Sequence, residues 1–195
     1  MITDFNQLDL TKQYSYADYL TWKFTDRVEL IRGWIKKMSP APSSYHQVVS
    51  GNLSFHIQKY LYKKGCKVFV APFDVRLINT KKSSDDNIVY TVVQPDICII
   101  CDKDKIDKRG CVGAPDLVIE IVSKGNTKYE METKFELYEE AGVLEYWIVG
   151  LGDETTTVFD LKENKFQFRK IYSNDDKVPM GIFTDFSLDM TEVFE

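Results

Sequence analysis

The chain has 195 residues, 25 Lys and Arg against 30 Asp and Glu, a net charge of -5 and 44% hydrophobic residues. This composition excludes wholesale disorder, and the length suits one domain over residues 1–195 that buries its core without staples. The acidic balance argues against non-specific adhesion to nucleic acid or to anionic membranes, but it does not exclude a local basic cleft.

The first residues, Met1-Ile2-Thr3-Asp4, show no basic segment followed by an apolar one, and no apolar run approaches the roughly 18–20 residues of a membrane-spanning helix. A cytoplasmic protein without membrane contact is expected. Ser15 caps a predicted short helix over Tyr16 to Leu20. Val28 to Ile31 and Trp34 to Met38 read as a hairpin turning at Gly33, followed by a loop from Ser39 to Ser44. Val49, Leu53, Ile57 and Leu61, with Val48, recur at helical spacing and predict an amphipathic helix from Tyr45 to Tyr62.

Strands are expected at Val68 to Val70, at Phe73 to Ile78, and from Thr91 to Cys101 with an interruption at Pro95. Loops are expected from Thr80 to Asn87 and from Asp102 to Gly113. Asp116 to Val122 is a strongly apolar strand, Asn126 to Ala141 a helix closed by Gly142, and Leu144–Val149, Thr155–Leu161 and Lys165–Tyr172 three final strands. The order predicts a mixed α/β (α+β) fold with one central sheet flanked by helices.

Cys98 and Cys101 have metal-ligand spacing, but in a strand they face opposite ways and no second pair completes a zinc set. All four cysteines, Cys66, Cys98, Cys101 and Cys111, are therefore expected as free, partly buried thiols.

The informative feature is acid inside apolar strands. Glu120 lies within Leu117-Val118-Ile119-Glu120-Ile121-Val122, and Asp96 opens Asp96-Ile97-Cys98-Ile99-Ile100. A buried carboxylate is costly unless paired, hydrogen-bonded or bound to metal. Two acids on neighbouring strands offer oxygens to one hard cation such as Mg²⁺. Structural roles also fit: Asp96 in a turn, Glu120 on an edge strand facing solvent, and Glu29 at an exposed hairpin position. Lys134 either pairs with Glu130 or Tyr138 on a solvated helix face or turns back toward the sheet.

The ordered set Glu29-Leu30-Ile31-Arg32-Gly33, Met38-Ser39-Pro40-Ala41-Pro42, His46-Gln47, Pro95-Asp96, Gly113 to Ser123, Lys134, Tyr138 and Ala141 to Val149 resembles the Uma2 family. That family is a restriction-endonuclease-like branch of the PD-(D/E)XK nuclease superfamily, and the resemblance spans roughly residues 14 to 172. It implies a restriction-endonuclease-like core and metal-dependent hydrolysis of DNA leaving a 5′-phosphate and a 3′-hydroxyl. Asp96, Glu120 and Glu29 are then the metal-binding acids for Mg²⁺ or Mn²⁺. The superfamily lysine normally stands two residues after the second acid, where this chain has Val122. The role passes to Lys134 on the following helix, reached through its long stem. Gln94 and Ser123 are candidate hydrogen-bonding supports, and His46 and Tyr138 candidate pocket walls. The alternative function is a nuclease fold that binds nucleic acid or assembles without cutting. Exposed strand edges suggest a homodimer.

Overall fold

The computed structural model describes residues 2–38, 41–78, 85–123 and 128–195, with 128–130 as backbone alone. The expected loop at Ser39–Pro40, most of the loop from Thr80 to Asn87, the helix start at Asn126 and the side chain of Glu130 lie outside the described residues.

Helix α1 (Tyr16–Tyr19) is held by a capping box in which Ser15 and Asp18 satisfy each other's backbone N–H groups. Strands β1 (Val28–Ile31) and β2 (Trp34–Lys37) form the expected hairpin, with Gly33 at a φ of 87°. Ser43 accepts a hydrogen bond from the His46 N–H and starts α2 (Ser44–Leu61). This helix buries Val49, Leu53, Ile57 and Leu61, each contributing about 1.5–3 kcal/mol of apolar burial, while Val48 stays exposed.

Strands β3 (Lys67–Val70) and β4 (Val75–Arg76) follow, and the run from Thr91 to Cys101 divides into β5 (Val92–Val93) and β6 (Ile97–Ile100). Pro95, which has no N–H to give a ladder, stands where the chain leaves one sheet for the other. The segment Asp102 to Gly113 is not the simple loop expected: β7 (Ile106–Asp107) and β8 (Gly110–Val112) form a tight hairpin. Its dense charges hide the strand signal. Gly110, at a φ of 132°, lies so close to Asp74 that an added Cβ would stand 2.1 Å from the Asp74 carbonyl oxygen. Gly110→Ala is expected to lower stability by about 2–3 kcal/mol, read as a reduced urea midpoint with an unchanged slope.

Strand β9 (Leu117–Val122), helix α3 (Lys128–Ala141) and β10 (Glu145–Gly150) make a parallel crossover, and β11 (Thr155–Lys162) and β12 (Lys165–Tyr172) extend it as antiparallel strands. Gly142, at a φ of 88°, ends α3. A last hairpin, β13 (Lys177–Pro179) and β14 (Ser187–Asp189), was not expected. Its Val178 and Leu188, with Met180, Met190 and Val193, complete the core beneath α2.

The architecture is mixed α/β, as expected, but with two six-stranded sheets in place of one: β2-β1-β5-β4-β8-β7 and β12-β11-β10-β9-β6-β3. In the second sheet, Ile97, Ile99, Leu117, Ile119 and Ile121 face α2, while Cys98, Ile100 and Val118 pack on the side of α3. No helix among the described residues is long and apolar enough to cross a membrane.

The cysteines correct the sequence expectation in part. Cys98 and Cys111 are buried free thiols, but Cys66 and Cys101 form a disulfide. The pairing of Lys67 with Ile100 sets these two cysteines opposite each other at the end of the β3–β6 ladder, a long-range register that their spacing in sequence does not show.

Candidate active site

The four acid and lysine candidates come from four elements and meet in one cleft. Glu29 is on β1, Asp96 stands at the crossing between the sheets, Glu120 is on β9 and Lys134 is on α3. The β6–β9 register, Ile97 opposite Ile119, sets Asp96 beside Glu120 at the end of the ladder. Glu120 shares its sheet face with Val118 and Val122. A lysine at 122 would therefore point where Lys134 now reaches.

Lys134 Nζ lies 2.9 Å from Glu120 Oε1 and 3.3 Å from Glu29 Oε1. Tyr138, one turn further along α3, donates its hydroxyl to the same Glu120 oxygen at 2.6 Å. The spacing of four residues thus brings an ammonium and a hydroxyl onto one carboxylate. Glu29 also accepts the Gln94 backbone N–H at 2.8 Å, and Asp96 Oδ2 accepts the Ile121 N–H at 2.8 Å. His46 Nε2, from the first turn of α2, lies 3.4 Å from that same Asp96 oxygen. Glu29 and Glu120 are therefore neither an exposed hairpin residue nor a solvent-facing edge residue, and Lys134 is turned into the fold.

Electrostatics follow from this packing. Burial pushes the Glu120 carboxyl up to about 7; Lys134 pulls it back down, and the Asp96 and Glu29 charges add to the rise. Burial also opposes the Lys134 charge, but the two glutamates outweigh it and raise its pKa. The hydrogen bond to Asp96 raises His46, whose buried Nδ1 has no partner among the described residues.

The supporting candidates separate. The Gln94 side chain turns away from the acids: its Nε2 donates to Asp74 and its Oε1 accepts from Arg27. Ser123 lines the cleft, which encloses about 950 Å³. The charged hairpin Lys103 to Arg109 does not line it; Arg109 is spent on Asp86 and Lys105 on the Ala114 carbonyl. Arg169 likewise belongs to a partly buried network with Asp160 and Glu145. Besides Lys134, the cleft's lysines and arginines come from the β1–β2 hairpin, Arg27, Arg32, Lys36 and Lys37, while Glu132 and Glu136 of α3 also line it. The sequence holds the signal for them, four cations within eleven residues of Arg27 to Lys37, but nothing local says that they face the acids.

Among the described residues, no group of three or more His, Cys, Asp or Glu side chains could by itself hold a metal. The donor set fits a hydrated cation instead, since Mg²⁺ often takes one or two carboxylates and several waters. Among the described residues, the hydrogen bonds to Glu120 fall on Oε1 and those to Asp96 on Oδ2, which leaves the other oxygen of each acid as the donor available to an ion.

The family model for Uma2, described as "Putative restriction endonuclease", matches residues 16–191. The chain belongs to the Uma2 family. It is 27% identical over 149 residues to an uncharacterized protein of Synechocystis sp., covering 75% of this chain and 72% of that one. The crystal structure of a "putative nuclease" of DUF820 from Anabaena variabilis superposes with a TM-score of 0.71 at 18% identity, covering 93% of this Uma2 chain and 97% of the other. At that identity the likeness establishes the fold.

Proposed function

We propose that this Uma2 protein is a Mg²⁺- or Mn²⁺-dependent endonuclease that hydrolyses DNA. The observation that carries this is the meeting of Asp96, Glu120 and Lys134 in one cleft of a chain that belongs to the Uma2 family. Asp96 and Glu120 hold the ion, and Glu29 supports the site by fixing Lys134. The ion supplies polarisation of the phosphodiester and a lowered pKa for the attacking water. Lys134 offsets negative charge growing on the phosphate, and Tyr138 fixes the Glu120 carboxylate. His46 and the Ile121 N–H orient Asp96.

A second function, binding or assembly without cleavage, is favoured by one observation: the Lys134 ammonium already bridges two of the three acids. Nicking of supercoiled plasmid decides between them. Cleavage in Mn²⁺ that EDTA abolishes and Asp96→Ala removes is the expected result. Equal cleavage by purified Asp96→Ala protein overturns the assignment. The same reading expects the protein beside nucleic acid in the cytoplasm and as a homodimer, for which the edge strands β2, β3, β7 and β12 offer surfaces and which sedimentation would detect.

A further inference from the structure

The β1–β2 hairpin carries an unusual combination for a cleft wall. Its register places Trp34 opposite Ile31 and Lys36 opposite Glu29, and cross-strand partners share a face. Trp34 and Lys36 therefore stand on the same face as the Glu29 carboxylate, with Trp34 two residues, roughly 6.8 Å, further along the strand. Trp34 is 47% exposed and lines the cleft. By contrast, Trp22 is packed among Tyr14, Tyr19 and Phe24, whereas Trp34 has no ring partner among the described residues.

The neighbouring cations suit an anion. The Arg27 guanidinium bonds the neutral Gln94 Oε1, through Nη2 at 2.8 Å and Nε at 3.3 Å, so this contact does not cancel its charge. Arg32 and Lys37 meet carboxylates only in exposed pairs, which water and salt weaken. An exposed indole flanked by cations is what an unpaired nucleotide recognises: the ring stacks on a base and the cations follow the phosphates. A cleft of about 950 Å³ has the size of a small-ligand pocket, with room for an unpaired nucleotide beside the indole.

We infer that the hairpin grips single-stranded DNA, with Trp34 stacking on an unpaired base while Arg27, at the far end of the hairpin, contacts a phosphate further along the strand and guides it to the acids. This deepens the proposed nuclease function and rests on it for the role of the acids.

The test is binding of fluorescein-labelled oligothymidylate in EDTA, where cleavage is silent, followed by anisotropy and tryptophan emission. Trp22 and Trp147 are buried, so quenching by a stacked base reports Trp34. Trp34→Ala is expected to bind about 5- to 150-fold more weakly, Trp34→Phe to recover most of that loss, and Arg27→Ala to flatten the salt dependence by about 0.7 in log–log slope. Three results overturn the inference: no binding of the oligonucleotide by the native chain, native affinity in Trp34→Ala, or a duplex that binds as tightly without quenching. Trp34-dependent binding with no cleavage in Mn²⁺ sinks the nuclease function alone. Native cleavage of single strands by Trp34→Ala sinks the grip alone.

Discussion

Glu120→Gln is expected to abolish the proposed cleavage, a loss of about a thousandfold or more, and to leave the protein folded. The amide is nearly isosteric and its oxygen still accepts from Tyr138 and Lys134, which now reach Glu120 Oε1 at 2.6 and 2.9 Å. Removing one charge of a buried pair costs stability, but removing the desolvated carboxylate returns part of that cost, so the net change stays within about 2 kcal/mol. The readout that separates chemistry from folding is the thermal shift on adding Mn²⁺. It is expected in the native chain and not in Glu120→Gln, because a ligand stabilises only the state that binds it. An unchanged shift removes Glu120 from the metal site.

Lys134→Met acts in the opposite way on the fold. Glu29 and Glu120 side chains are 5% and 9% exposed, and Lys134 is the cation that bridges them. Methionine fills the space of the stem but leaves two buried carboxylates facing each other, so stability falls by about 3–5 kcal/mol in metal-free buffer. The proposed cleavage is expected to fall by about a hundredfold or more through loss of charge at the phosphate. With the competing ammonium gone, Mn²⁺ is expected to raise the melting temperature of this variant more than that of the native chain. A variant as stable as the native chain without metal shows that the ion pair contributes nothing to the fold.

Much of this site was legible in the sequence because its key signal is local. A glutamate within Leu117 to Val122 is conspicuous in any apolar strand, and Asp96 after Pro95 is another. Their adjacency follows once two apolar runs are taken as neighbours, as β6 and β9 are. Lys134 became legible through the family resemblance and the reach of its side chain. What was not legible depends on register between distant segments. The Cys66–Cys101 bridge needs β3 laid against β6, and the basic wall needs the hairpin placed across from α3. The division into two sheets leaves no local signal because β4, β5 and β7 are only two residues long, too short for their pattern to fix which sheet they join. The C-terminal hairpin is similarly brief, although its buried Val178 and Leu188 carry core packing.

The crossing at Pro95 has a further consequence. Glu29 belongs to one sheet, Glu120 to the other, and Lys134 to a helix that follows both acids in the chain. During synthesis, no chain shorter than 134 residues holds the full charge cluster, and no fragment carrying a single sheet can assemble it. On the proposed function, hydrolytic power is thus withheld from the nascent chain and from proteolytic debris. A cell making such an enzyme beside its own chromosome is exposed to it only as the finished, cooperatively folded product.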